Sequence, residues 1–231
     1  MRKSALYVGI CLLVVVAIVG IVEGIGNKTG HDGEIGASAV VALTESRVEG
    51  IVNTMQIMAL TDEVKSADWD TMKPLLSEFE NNSIPLVAWF ALPNASYYTV
   101  DAGLASGNLS DREYFPKVMN GEVVVGDLVV SKSTGRESIV AVVPVKDGNK
   151  VIGALGVSIF LKEFSQSITG SLILPTISDD IVFYAVTADN VIALHSNVDM
   201  IMKNASEQGT LSGSATETAG SLGWTYTFGY K

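Results

Sequence analysis

Cysteine is almost missing from this 231-residue chain: Cys11 is the only one. No disulfide can form within the chain, so a packed core and not covalent staples must hold the fold. Histidine is nearly as scarce. His31 and His195 stand far apart, and no His/Cys/carboxylate cluster has the spacing of a metal site. There is no G-x-S-x-G elbow and no P-loop. The stretch "GIGNKTG" (24–30) has the glycines of a phosphate loop, but it follows an apolar run and not a strand, so it reads as a joint. Basic residues are also short, 15 against 25 acidic, which gives a net charge of −10. Such a surface repels phosphate backbones, so nucleic acid is not expected as a partner. The sequence is read as a non-enzyme without a cofactor.

What is present begins at the N-terminus. "SALYVGICLLVVVAIVGIV" (4–22) runs 19 residues without a charge. As a helix it would be roughly 28 Å long, close to the ~30 Å hydrocarbon layer of a bilayer. Arg2 and Lys3 precede it and Glu23 follows. The positive-inside rule then leaves the N-terminus in the cytoplasm and the bulk of the chain outside, anchored in the cell membrane by residues 4–22. A cleaved signal peptide is the rival reading; the run is long for one, and no A-x-A site follows. Five Asn-x-Ser/Thr sequons, at Asn27, Asn81, Asn94, Asn108 and Asn204, are glycosylation candidates consistent with export.

The rest of the chain, 48% apolar and 17% charged overall, predicts an α+β protein. A Gly-rich joint ends near residue 33. A long helix follows from about Glu34 to Ser66, with Val40, Thr44, Val48, Ile51, Met55 and Met58 recurring at three- and four-residue steps. A helix capped by Asp70 reaches Asn81. Period-two and continuous apolar runs then predict strands at 84–92, 97–103, 123–131, 137–145 and 151–160. Between the second and third, "SDREYF" reads as a capping box, Ser110 with Glu113, opening a helix over 110–120. That is one five-stranded antiparallel sheet with helical cover. After a helix from Leu161 to about Ile168 come a strand–turn–strand (181–196) and a closing hairpin, a second and abbreviated module. The expected division is 1–33 anchor and joint, 34–83 stalk and covering helices, 84–170 first module, 171–231 second module.

The segment 108–165 resembles the extracellular Cache sensor domains of chemoreceptors and sensor kinases. The likeness rests on Asp111-Arg112 followed by Tyr114-Phe115, on "STGRESIVAVVPV", and on "VIGALGVSIFL" leading into a helix. "FYAVTADNVIALHS" looks like the start of that family's membrane-proximal module. The double-Cache type, two stacked PAS-like modules, is the closest, and the short second module leaves a single-Cache reading open. The resemblance implies a small ligand held in the membrane-distal module, between sheet and covering helix. Its candidate binding residues here are Arg112, Tyr114, Trp89, Tyr98, Asp127 and Ser158. Arg112 falls where amino-acid-binding relatives grip the ligand carboxylate; the rival role is a tie for the loop, through carbonyls or Asp111. Two departures stand out. The relatives' tryptophan-tyrosine pair reads Tyr114-Phe115, and the aspartate that meets the ligand ammonium falls at Ser158.

The sequence therefore predicts an anchored extracytoplasmic sensor for a carboxylate or neutral metabolite. With the chain stopping at Lys231, before any output domain, it would act as a homodimer or through a separate signalling partner. The alternative is a cell-surface structural or adhesion subunit that fills its pocket with Trp89, Tyr98 and Tyr114. If the charge asymmetry around 4–22 sets topology, protease added to intact cells should digest the 34–231 portion. Full protection of that portion would exclude an outward-facing body.

Overall fold

The computed structural model describes residues 30–172 and 180–231. The anchor expected at 4–22 and the sequon at Asn27 lie outside the described residues. Among the described residues no helix is long and apolar enough to cross a membrane. The chain forms two compact units. One holds Thr44–Phe164 and Gly220–Gly223; the other holds, of the described residues, 30–43, 165–172, 180–219 and Trp224–Lys231.

Helix α1 spans Gly30–Met58 and supplies residues to both units. Its six stripe residues are all buried: Val40, Thr44, Val48, Ile51, Met55 and Met58. The helix starts inside the stretch read as a joint. Gly33 and Gly36 are helical, and their missing side chains have a packing reason. A Cβ on Gly33 would lie 2.3 Å from the Gly213 carbonyl, and one on Gly36 would lie 2.3 Å from the Phe228 ring. The glycines here mark close approach and not freedom. The helix also stops short of Ser66. Thr61 accepts a hydrogen bond from Val64 N–H and caps a new short helix, α2 (Asp62–Lys65). Helix α3 (Trp69–Asn81) follows, capped by Asp68, not Asp70, through Thr71 N–H at 3.1 Å.

The larger unit is built on six antiparallel strands, one more than the sequence predicts. They are β1 (Leu86–Ala91), β2 (Ser96–Thr99), β3 (Gly103–Asn108), β4 (Val124–Val130), β5 (Glu137–Asp147) and β6 (Lys150–Phe160), ordered β3-β2-β1-β6-β5-β4. The extra strand β3, "GLASGN", carries little β propensity and lies at the sheet edge, where its neighbour's backbone holds it. The β5–β6 hairpin closes through a two-residue loop with Gly148 at φ +57°, as a type II′ turn requires. Helices α2 and α3 pack on β5 and β1, and α3 offers Trp69 to stack on Tyr98 at 5.3 Å. The opposite face carries helix α4 (Tyr114–Met119). The capping box is not formed: Glu113 is the N-cap and makes no side-chain cap bond. Pro116 gives the reason. In a helix starting at Asp111 it would sit in the interior and delete a backbone bond; in one starting at Tyr114 it falls in the first turn, where no N–H is needed.

The second unit contains helix α5 (Leu161–Leu172), shared at its start with the first, and strands β7 (Ile181–Val186), β8 (Ile192–His195), β9 (Ser212–Ala219) and β10 (Trp224–Tyr230), ordered β8-β7-β10-β9. Its core includes Phe183, Leu194, Trp224, Tyr226 and Phe228. After His195 the chain makes two 3-10 turns, Val198–Met200 and Ala205–Glu207. Together the units make a mixed α+β protein with an N-terminal helix and two antiparallel sheets.

Val140 and Val142 are 1% and 0% exposed and share the α4 face of the first sheet. An aspartate at either would bury a charge without a partner and should cost several kcal/mol, on the order of 3–5. Val130, 52% exposed on edge strand β4, should accept aspartate within about 0.5 kcal/mol. Urea denaturation of the three variants checks this; equal midpoints would contradict the burial.

Candidate functional site

Pairing sets which side chains can meet. On β1 and β6, Trp89 lies opposite Gly156, and Val87 opposite Ser158. On β5, Val140 lies opposite Ser158 and Val142 opposite Gly156. A bulge between Val125 and Asp127, where Gly126 takes φ +98°, sets Asp127 opposite Val140. Directly opposed residues share a face, so Asp127, Val140, Ser158 and Val87 form one row across the sheet, with Trp89 on the same face. Ser158 is 5% exposed and Asp127 is half-buried.

The aromatic floor of this face is Trp89, Tyr97 and Tyr114, each at most 3% exposed. The Trp89 ring lies 6.3 Å from Tyr97, edge-on, and 6.2 Å from Tyr114. Gly156 makes the floor possible: a Cβ there would come within 2.1 Å of the indole. Tyr98, singled out from the sequence, points to the other face and stacks on Trp69; its neighbour Tyr97 takes the place beneath α4. Alternation along "SYYT" allows only one of the pair on each side, but which one is decided by the hairpin register, Ala91 opposite Tyr97.

Arg112 sits in the loop before α4. Its Nη2 donates to the Val130 carbonyl at 2.7 Å. Asp111 does not serve it. That carboxylate accepts from Lys132 Nζ at 2.5 Å, and the Lys132 ammonium holds it below the usual carboxylate range. Lys132 also donates to the Asn108 carbonyl at 2.6 Å. The tie to Val130 uses only one nitrogen of the guanidinium. Arg112 Nε is buried and has no acceptor among the protein atoms; the Tyr97 hydroxyl is also buried without a hydrogen bond of full geometry, Ser133 being a weak side-chain partner. Buried polar atoms are satisfied in the great majority of cases, so two in one neighbourhood mark it out. Burial pushes both the Tyr97 and Tyr114 phenols up; the Ser133 hydroxyl and then the Arg112 charge oppose the Tyr97 shift, and the Arg112 charge opposes that of Tyr114. Asp127 and Asp111 add to the Tyr114 shift. These couplings gather Arg112, Tyr97, Tyr114 and Asp127 into one electrostatic neighbourhood. Lys132, Tyr97 and Gly156 are the members that reading the sequence missed. Lys132 and Gly156 carry no local signal, because each is recruited by pairing across the sheet. Among the described residues no group of three or more His, Cys, Asp or Glu could hold a metal ion.

No family profile and no curated protein matches the chain. Solved structures do. The ligand-binding domain of the Pseudomonas fluorescens chemoreceptor CtaA in complex with L-serine superposes with a TM-score of 0.60 at 16% identity, over 86% of this chain and 93% of that one. The ligand-binding domain of the Pseudomonas aeruginosa amino-acid chemoreceptor PctC, with GABA, gives 0.60 and 16% over 87% and 97%. That of PctB from the same organism, with L-Arg, gives 0.62 and 16% over 86% and 92%. The fold is shared with these chemoreceptor ligand-binding domains. Identities this low carry the architecture and not the site.

Removing a buried hydroxyl that has only a weak partner, here Ser133, relieves much of a desolvation cost of about 1–3 kcal/mol. Tyr97→Phe is therefore expected to keep or raise stability, whereas Trp89→Ala should cost about 3–5 kcal/mol. Chemical denaturation in ligand-free buffer measures both. A loss above ~1 kcal/mol for Tyr97→Phe would show that the hydroxyl has a stabilising partner.

Proposed function

We propose that the protein is a small-molecule sensor displayed outside the cytoplasm, with its ligand seated in the six-stranded unit over Trp89, Tyr97 and Ser158. Arg112 and Tyr114 close the seat from the loop and α4. In this reading 84–170 is the membrane-distal module, 171–231 the membrane-proximal one, and 4–22 the anchor. The observation that carries it is the buried Arg112 Nε without a protein acceptor, beside a Tyr97 hydroxyl held only weakly by Ser133 and an aromatic floor. Both are donors, and an acceptor oxygen would satisfy both. The fold shared with chemoreceptor domains solved with L-serine, L-Arg and GABA supports a ligand of that size.

The ligand class follows from the charges. A carboxylate at Arg112 gains about 1.5–3 kcal/mol from charge-assisted hydrogen bonds, a factor of about 10 to 150 in affinity. An ammonium group at Ser158 meets a hydroxyl, and its desolvation goes largely uncompensated. Simple carboxylates, or neutral molecules with an acceptor oxygen, should therefore bind better than free α-amino acids. Asp127, in the same row as Ser158, is the nearest carboxylate by register that would reverse this order.

A second reading keeps one observation of its own. Trp89, Tyr97 and Tyr114 belong to a single apolar cluster with Val140, Val142 and Ala154, as a structural or adhesion module would pack them. A thermal-shift screen of residues 34–231 against short carboxylates, GABA and the standard amino acids separates the two. The sensor reading expects a carboxylate to raise the melting temperature and Arg112→Ala to abolish the shift while the fold survives. Stronger stabilisation by α-amino acids would replace the ligand class. No response to any compound, with Arg112→Ala unfolding the unit, would favour the structural module.

A further inference from the structure

We propose that the four-stranded unit carries a second small-molecule site of its own, for a neutral ligand with an apolar body and one hydroxyl-like group. The unit forms a half-open cleft of about 470 Å³, within the range of roughly 300–1,000 Å³ typical of ligand pockets. Its walls are mainly apolar: Leu172 from α5, Phe183 from β7, Phe228 from β10 and Met200 from the first 3-10 turn. The polar end is His195 with Gln208. Nothing in the seat at Arg112 takes part; every lining residue belongs to this unit.

The polar end is preorganised and neutral. His195 is 3% exposed. Its Nδ1 accepts the Asn197 backbone N–H at 2.7 Å, which leaves the ring proton on Nε2, 2.7 Å from Gln208 Oε1. Burial holds the imidazole pKa below its ordinary value. The Gln208 amide spends one N–H on the Gly209 carbonyl and one lone pair on His195. A primary amide has two N–H bonds and two lone pairs on oxygen. One donor and one acceptor therefore remain, which is the complement of a hydroxyl group. The charged residues on the wall, Glu207 and Lys231, are exposed and of opposite sign. A charged ligand would lose its hydration at the inner end and find only dipoles in return. An apolar body with a neutral hydroxyl loses little and gains the walls.

The test uses the full chain and phenol as probe, with benzoate as its anionic counterpart of similar shape. The chain has two histidines, so the ring signals of His195 are assigned with the His31→Gln variant and followed by NMR. Phenol should shift the His195 ring signals saturably, and benzoate should bind at least tenfold more weakly. Met200→Trp, which fills the cleft, should abolish the response, and Gln208→Leu should weaken it at least tenfold. If Met200→Trp proves unfolded by circular dichroism, Leu172→Phe serves in its place. Arg112→Ala should leave phenol binding unchanged, so this site stands or falls apart from the seat in the six-stranded unit. No saturable shift with phenol, equal binding of benzoate, or a response that survives the filling variant would overturn the proposal.

Discussion

The indole of Trp89 can occupy its place on the sheet only because Gly156, directly opposite on β6, has no side chain. Any larger residue would meet the ring at less than van der Waals distance, in the middle of a sheet buried on both faces. The consequences spread outward from this pair. With the indole in place, Tyr97 meets it edge-on and Tyr114 comes down from α4 to lie against it. The interior of the site is thus governed by a volume exchange between two strands, a large aromatic bought with the loss of a neighbour's Cβ.

Arg112 is held by one bond and left open by another. Its Nη2 spends itself on the Val130 carbonyl, which joins the loop to edge strand β4. Lys132, two residues beyond Val130, takes Asp111 out of competition. If Asp111 paired with Arg112, the guanidinium would be neutralised locally and its attraction for an incoming carboxylate diminished. The loop therefore separates its charges: the lysine pairs with the acid at the exposed rim, and the arginine keeps a buried Nε without a protein acceptor. The tie and the proposed seat, posed as rivals from the sequence, would use different nitrogens of the same side chain. A planar fork with five N–H donors permits this; a lysine would not.

The same economy of space recurs where the first helix meets the second sheet. Gly33 and Gly36 allow α1 to approach β9 and β10 more closely than any Cβ would permit. A glycine-rich stretch after an apolar run looks like a hinge when only the sequence is considered. Here two of its glycines are packing residues inside a regular helix, and the entropy cost of helical glycine, about 0.5–1 kcal/mol each, is offset by contact with a sheet.

The sequence by itself determined the class of the protein, most of its elements and one buried stripe. The period of Val40 to Met58, the alternation in the strands and the turn residues at 147–150 are local patterns, and each acts within a few residues of itself. The resemblance placed Arg112, Tyr114, Trp89, Tyr98, Asp127 and Ser158 as candidates; the pairing of strands sets Trp89, Asp127 and Ser158 on one face and Tyr98 on the other. What only the tertiary structure decided was set by pairing between distant segments. Strand β3 has no propensity of its own and exists because β2 lies beside it. Helix α4 starts after Arg112 because Pro116 must fall in its first turn, which leaves the arginine in a loop free to cross the sheet. Tyr97 displaces Tyr98 because a hairpin register sets which of two adjacent tyrosines faces inward, and a shift of one residue exchanges them. Lys132 and Gly156 enter the site from strands and loops that no local pattern connects to it.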